Sequence, residues 1–176
     1  MPHVIERASS GRAKCRGCGQ AIARDVLRFG ERVPNPFADE GSETTHWFHL
    51  RCAAFRRPET LLEALGSAEP AVEDRERLEH DARLSVTHRR LPRVNTAERA
   101  PSGRAACRAC RSPIEKGAWR ISLVYYEDGR FVPSGSIHPR CAAEYLETTE
   151  ILPRLTHFTP GLTEADAEEL RILLRP

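Results

Sequence analysis

The sequence predicts an α+β fold made of two small modules of one kind, each a short antiparallel sheet followed by helices. Three observations carry this prediction. The stretch Ser10-Gly11-Arg12-Ala13-Lys14-Cys15-Arg16-Gly17-Cys18 returns as Ser102-Gly103-Arg104-Ala105-Ala106-Cys107-Arg108-Ala109-Cys110. The block His49-Leu50-Arg51-Cys52 returns in the same order as His138-Pro139-Arg140-Cys141. Between these blocks lie apolar, β-branched runs, and after them come stretches of helical polarity.

Taken in order, each Cys-x-x-Cys reads as a knuckle that aims two thiols at one point. Val26–Val33 and Trp119–Tyr126 follow as strands. In the second half Asp128-Gly129 supplies a two-residue hairpin turn. In the first half the matching connection, Pro34 to Gly41, holds two prolines that oppose strand pairing, so a longer loop is expected there. A short strand, Thr45–Phe48, then delivers His49. Helices are expected over Cys52–Phe55, Glu59–Leu65 and Val72–Val86, then over Ala142–Leu152 and Glu164–Leu174. Thr163 and Asp166 form a capping-box pattern ahead of the last helix. Thr87–Pro101, basic and without apolar period, is expected to be a linker between a first module at 1–86 and a second at 102–176.

The six cysteines all fall in the repeated blocks and none is left over. An odd number per module opposes internal disulfides, and three cysteines with one histidine form a standard structural zinc set. The expected ligands are Cys15, Cys18, His49 and Cys52, then Cys107, Cys110, His138 and Cys141, holding two structural Zn2+ ions. Thirty residues separate Cys18 from His49 and 27 separate Cys110 from His138, room for a small sheet and far more than a classical two-cysteine, two-histidine finger leaves. No histidine follows either Cys-x-x-Cys, as a c-type haem would need. His46 is a spare donor, expected on the surface or in packing, and Trp47 is expected in the core.

Composition narrows the function. Net charge is +2 with 30% charged residues and a mean hydropathy of −0.51. No apolar run approaches the ~18 residues of a membrane span, and the N-terminus lacks a signal-peptide core; an intracellular protein without a membrane partner is expected. Both cysteine-bearing blocks are basic and both following segments acidic, and Lys14 and Lys116 are the only lysines. Coding bias explains the arginine excess as well as function does, but not its segregation. The His-x-Glu and Pro-Cys-x-x-Cys pairing of a zinc deaminase does not occur, so neither an enzyme nor a small-molecule substrate is expected.

Ser-Gly-Arg-Ala-x-Cys-x-x-Cys, Ile22-x-x-Asp25-x-Leu27-Arg28 and His46-Trp47-Phe48-His49-x-x-Cys52 together closely resemble the poly(ADP-ribose) polymerase-type zinc finger. The match is dense over 6–56 and looser over 98–145, where Ser136-Ile137 replaces the Trp-aromatic pair. The resemblance implies a stand-alone tandem pair that senses DNA strand breaks by structure, in DNA repair or damage signalling. It implies that Arg12 and Arg28 contact phosphates and groove while Phe37 stacks on the exposed base pair. Arg104 and Arg120 would correspond in the second module, with Phe131 and Val132 in the stacking role. The implied partners are broken DNA and a repair enzyme, in a bacterial cytoplasm at the nucleoid or in a eukaryotic nucleus. The alternative is a zinc-scaffolded adaptor whose second finger binds a protein.

Overall fold

The computed structural model describes residues 2–35, 37–38, 41–67 and 71–175. The chain divides into two compact units, Met1–Thr87 and His88–Pro176. No helix among the described residues is long and apolar enough to cross a membrane.

The first unit is an antiparallel sheet of β1 (Val4–Arg7), β2 (Leu27–Pro34) and β3 (Glu43–His49), in that order, followed by α1 (Leu50–Arg56), α2 (Pro58–Gly66) and α3 (Arg75–Thr87). The register aligns Ile5, Phe29 and Phe48 across the three strands, and all three are buried. Glu31 shares their face, since side chains two apart on a strand point the same way. It is 1% exposed and receives Arg57 at 2.7 Å and the Thr60 hydroxyl at 3.0 Å, which ties the sheet to the start of α2. The helices therefore cover this face. Pro58 opens α2, where its missing N–H costs nothing.

The opposite face carries a row of Val4, Gly30 and Trp47. A Cβ at Gly30 would sit 2.7 Å from Trp47 Cζ3 and 2.9 Å from both Thr45 Cγ2 and Val4 Cγ1. Gly30→Ala is accordingly expected to destabilise the unit by about 1–3 kcal/mol through overpacking. A urea midpoint equal to that of the parent protein would contradict this.

The second unit repeats the plan with β4 (Val94–Arg99), β5 (Trp119–Glu127) and β6 (Arg130–Ile137), then α4 (Ala142–Leu146), α5 (Leu152–Phe158) and α6 (Glu164–Leu173). Ala97, Ile121 and Ile137 form its buried cross-strand row. The β5–β6 turn has Asp128 at φ 48° and Gly129 at φ 77°, the paired positive values that the Asp-Gly signal anticipated. The Thr163–Asp166 capping box is formed as expected.

Three expectations need correction. Thr87–Pro101 is not a linker: it holds a 3-10 turn at Leu91–Arg93 and then β4. Val94 and Ala97 both point inward, but a bulge between them breaks the period of two, so no strand pattern shows. β1 was likewise not anticipated. The helix expected over Ala142–Leu152 is two helices, because Glu147 turns left-handed at φ 61° and Pro153 suits only a helix start. Val72–Val86 starts three residues later, at Arg75. In the proline loop, Pro36, Asp39 and Glu40 lie outside the described residues.

Candidate metal centres and the surfaces beside them

Each centre joins a knuckle to a strand–helix junction. In the first, the Cys15 N–H donates to Gln20 O at 2.8 Å and the Gly19 N–H to Cys15 O at 2.8 Å, closing the turn. Gly19 has φ 77°, and Arg111 takes the same left-handed position in the second knuckle at φ 65°. His49 ends β3 and Cys52 falls in the first turn of α1, so one sharp junction presents both. In the second unit His138 follows β6, and a 3-10 turn, Pro139–Cys141, replaces the helical turn.

The donor atoms of Cys15, Cys18, His49 and Cys52 all lie within 4.8 Å of one another, as do those of Cys107, Cys110, His138 and Cys141. Cys18 Sγ and Cys110 Sγ each stand 3.4 Å from the Nδ1 of their histidine. The His49 N–H donates to Cys15 Sγ and the His138 N–H to Cys107 Sγ, both at 3.3 Å. His138 Nε2 lies 3.2 Å from Pro113 O, so its proton sits there and Nδ1 is left as the metal donor.

The acid–base chemistry of these donor sets suits a cation. Hydrogen bonding from Cys15 and Cys52 holds Cys18 far below the usual thiol range, while Cys15 and Cys18 push Cys52 far above it. The same two thiolates raise His49 to about 10. In the second centre the Ser112 backbone N–H lowers Cys110 to about 6, and burial raises Cys141 to about 11. Four donors pressed together share protons that a thiophilic divalent ion replaces, and Cys3His is a standard zinc set. The two centres fit two zinc ions.

Metal entry must expel the protons held by His49, Cys52 and Cys141. Apparent zinc affinity is therefore expected to fall on acidification, by about tenfold per pH unit for each proton displaced. Competition against a chromophoric chelator between pH 7.5 and 5.5 checks this, and a pH-independent affinity would contradict it.

The other candidate residues are placed unequally. Arg12 and Arg104 are exposed. Phe37 is 96% exposed, its N–H donating to Asn35 Oδ1 at 3.1 Å. Arg28 is only 7% exposed: Nε and Nη2 donate to Glu6 Oε1 at 3.2 and 2.6 Å, and its guanidinium lies 3.5 Å from the Trp47 ring centre. Arg120 repeats the arrangement with Glu98 Oε1, at 3.0 and 2.7 Å. Trp47 thus stays half-buried beneath Arg28, on the face away from the helices, and does not join Phe48 in the core. Strand alternation sends His46 inward, where it is buried, the packing place the sequence allowed it.

Phe131 and Val132 pair with Tyr126 and Tyr125 respectively, so they face opposite sides of the hairpin and form no common platform. Phe131 is half-buried against Tyr126, with ring centres 4.9 Å apart. Glu6, Glu98 and Tyr126 escaped the sequence reading. The signal for the glutamates was present: Glu6-Arg7-Ala8 recurs as Glu98-Arg99-Ala100, extending the repeat upstream.

Residues 6–89 match the family described as the poly(ADP-ribose) polymerase and DNA-ligase Zn-finger region. Poly [ADP-ribose] polymerase 1 of Gallus gallus is 33% identical over 135 residues, 69% of this chain and 13% of that protein. The Xenopus laevis protein of the same name is 31% identical over 165 residues, 83% of this chain and 16% of the relative. In Caenorhabditis elegans the match is 40% over 52 residues, 30% of this chain and 5% of the relative. The chain thus spans less than a fifth of the length of these relatives.

Proposed function

Because the chain belongs, through residues 6–89, to the zinc-finger family of poly(ADP-ribose) polymerases and DNA ligases, we propose that it is a non-enzymatic DNA-binding protein that recognises strand breaks by structure rather than by sequence. The observation that carries this is Phe37, a large aromatic held 96% exposed between the strands of a unit that carries a zinc-ligand set. An aromatic with no role in its own core is available for another surface, and every base pair laid open at a break has a π-face to offer it. Arg12, exposed in the segment before the first knuckle, reaches phosphates and positions the module without reading sequence. Arg28 and Arg120, already paired with Glu6 and Glu98, reach DNA only by exchanging a glutamate for a phosphate. Zinc, when bound, supplies a tetrahedral cross-link and no reactive position. A repair enzyme that follows the break is the natural partner, in the cytoplasm of a bacterium or in a nucleus.

The second unit supports a second reading, as an adaptor. Its hairpin tip exposes Glu127 and Asp128, which repel phosphates, and Phe131 is already stacked on Tyr126. Titration of the whole chain onto a nicked duplex over a range of salt tests both readings. Arg12→Glu is expected to weaken binding and to lower the salt slope by about one. Should Arg104→Glu leave both quantities unchanged, the second unit is the adaptor; absence of salt-dependent binding by the parent chain would sink the DNA reading itself.

A further inference from the structure

Three thiolates and a neutral histidine around Zn2+ leave each centre with one surplus negative charge. In a partly buried site such a charge is costly unless a cation stands near it. The two units meet this requirement from different places in the chain. In the first, Arg56 lies on α1 one helical turn after Cys52 and is 3% exposed. Its stem packs at the knuckle, since a Cβ on Gly17 would sit 2.9 Å from Cys52 Cβ and 3.5 Å from Arg56 Cγ. Burial draws its guanidinium down to about 10 even though the charges of Cys52, Cys15 and Cys18 work against that fall.

The residue four positions after Cys141 is Tyr145, which has no charge to offer. Arg90, exposed where Arg56 is buried, comes to this residue from outside the helix. It donates to Tyr145 O at 3.0 Å and lies 4.8 Å from the Tyr145 ring centre. A cavity of about 470 Å³ beside it is lined by Arg90, Arg108, Tyr145, Glu144, Cys110 and Cys141. Arg108 has no side-chain ion pair or hydrogen bond among the described residues, and its stem lies across Gly135. Among the described residues lining this hollow Glu144 is the one acid, so the two arginines that share the lining with Cys110 and Cys141 leave it net positive.

We infer that Arg56, buried, and Arg90, exposed, are the charge partners of the two metal centres, positioning residues that set how firmly each zinc ion is retained. Arg90 does for the second centre what a helical arginine does for the first, although no alignment of the repeats pairs the two. Arg108 adds to the same field from the knuckle. Zinc retention by these arginines is separate from any DNA contact.

Zinc loss from the whole chain into excess chelator tests it, with cysteine alkylation mapped by mass spectrometry to tell the centres apart. Arg90→Met is expected to speed alkylation of Cys110 and Cys141 by about three- to tenfold, between the effect of an exposed ion pair and that of a buried outer partner. Cys15, Cys18 and Cys52 should keep the parent rate. Arg90→Lys should restore slow loss, and raised salt should bring the parent protein toward the Arg90→Met rate. Arg56→Met should act on the first centre alone, with Arg56→Lys as its rescue; should Arg56→Met fail to fold, the Arg90 series decides. An unchanged rate in Arg90→Met, equal acceleration at both centres, or an Arg90→Lys as fast as Arg90→Met would overturn the inference.

Discussion

Cys52→Ala is expected to yield a chain that holds one zinc ion instead of two, with the first unit unfolded and the second intact. Cys52 is buried at the start of α1, where the sheet hands over to the helices. Loss of its thiolate leaves three donors and opens the centre that joins the knuckle to this junction. Structural zinc contributes roughly 10–16 kcal/mol of apparent folding free energy in small modules, whereas a unit of this size has a net stability of about 4–13 kcal/mol. The metal term matches or exceeds the whole margin, so partial destabilisation is not the expected outcome. Elemental analysis for zinc, together with circular dichroism, checks it. Two zinc ions per chain, or an undiminished helical signal, would contradict the account of the centre as structural.

Phe37→Ala is expected to leave the fold and both zinc ions untouched while removing most of the preference for broken DNA. At 96% exposure the ring contributes nothing to the core that its loss could cost. Stacking on an exposed base is worth about 1–3 kcal/mol, which corresponds to roughly a fivefold to 150-fold loss of affinity for a nicked duplex. Phe37→Trp should retain it. Full affinity in Phe37→Ala would remove the stacking role from this residue.

Some features were legible in the sequence because the chemistry leaves few choices. Eight metal donors at repeated spacings admit one grouping, and the structure closes both sets within 4.8 Å. Asp128-Gly129 and Thr163–Asp166 were equally plain, since each is a local device that needs no distant partner. What escaped depends on tertiary pairing. β4 is hidden by the bulge between Val94 and Ala97, which erases the alternation a reader counts. An arginine in a sequence looks solvated until its partner is known: the pairing of Arg28 with Glu6 spans two strands, one of them not anticipated. Trp47, on a strand beside a ligand, is expected in the core, yet alternation gives the inward places to His46 and Phe48. Arg90 is further removed still, since only the fold carries it onto the residue that stands where Arg56 stands in the first unit.

One binding comparison bears most directly on the central claim. Fluorescence anisotropy of the zinc-loaded chain is read on a nicked duplex and on the continuous duplex of identical sequence, at one salt concentration. The account predicts tighter binding to the nicked duplex, and equal affinities would contradict it.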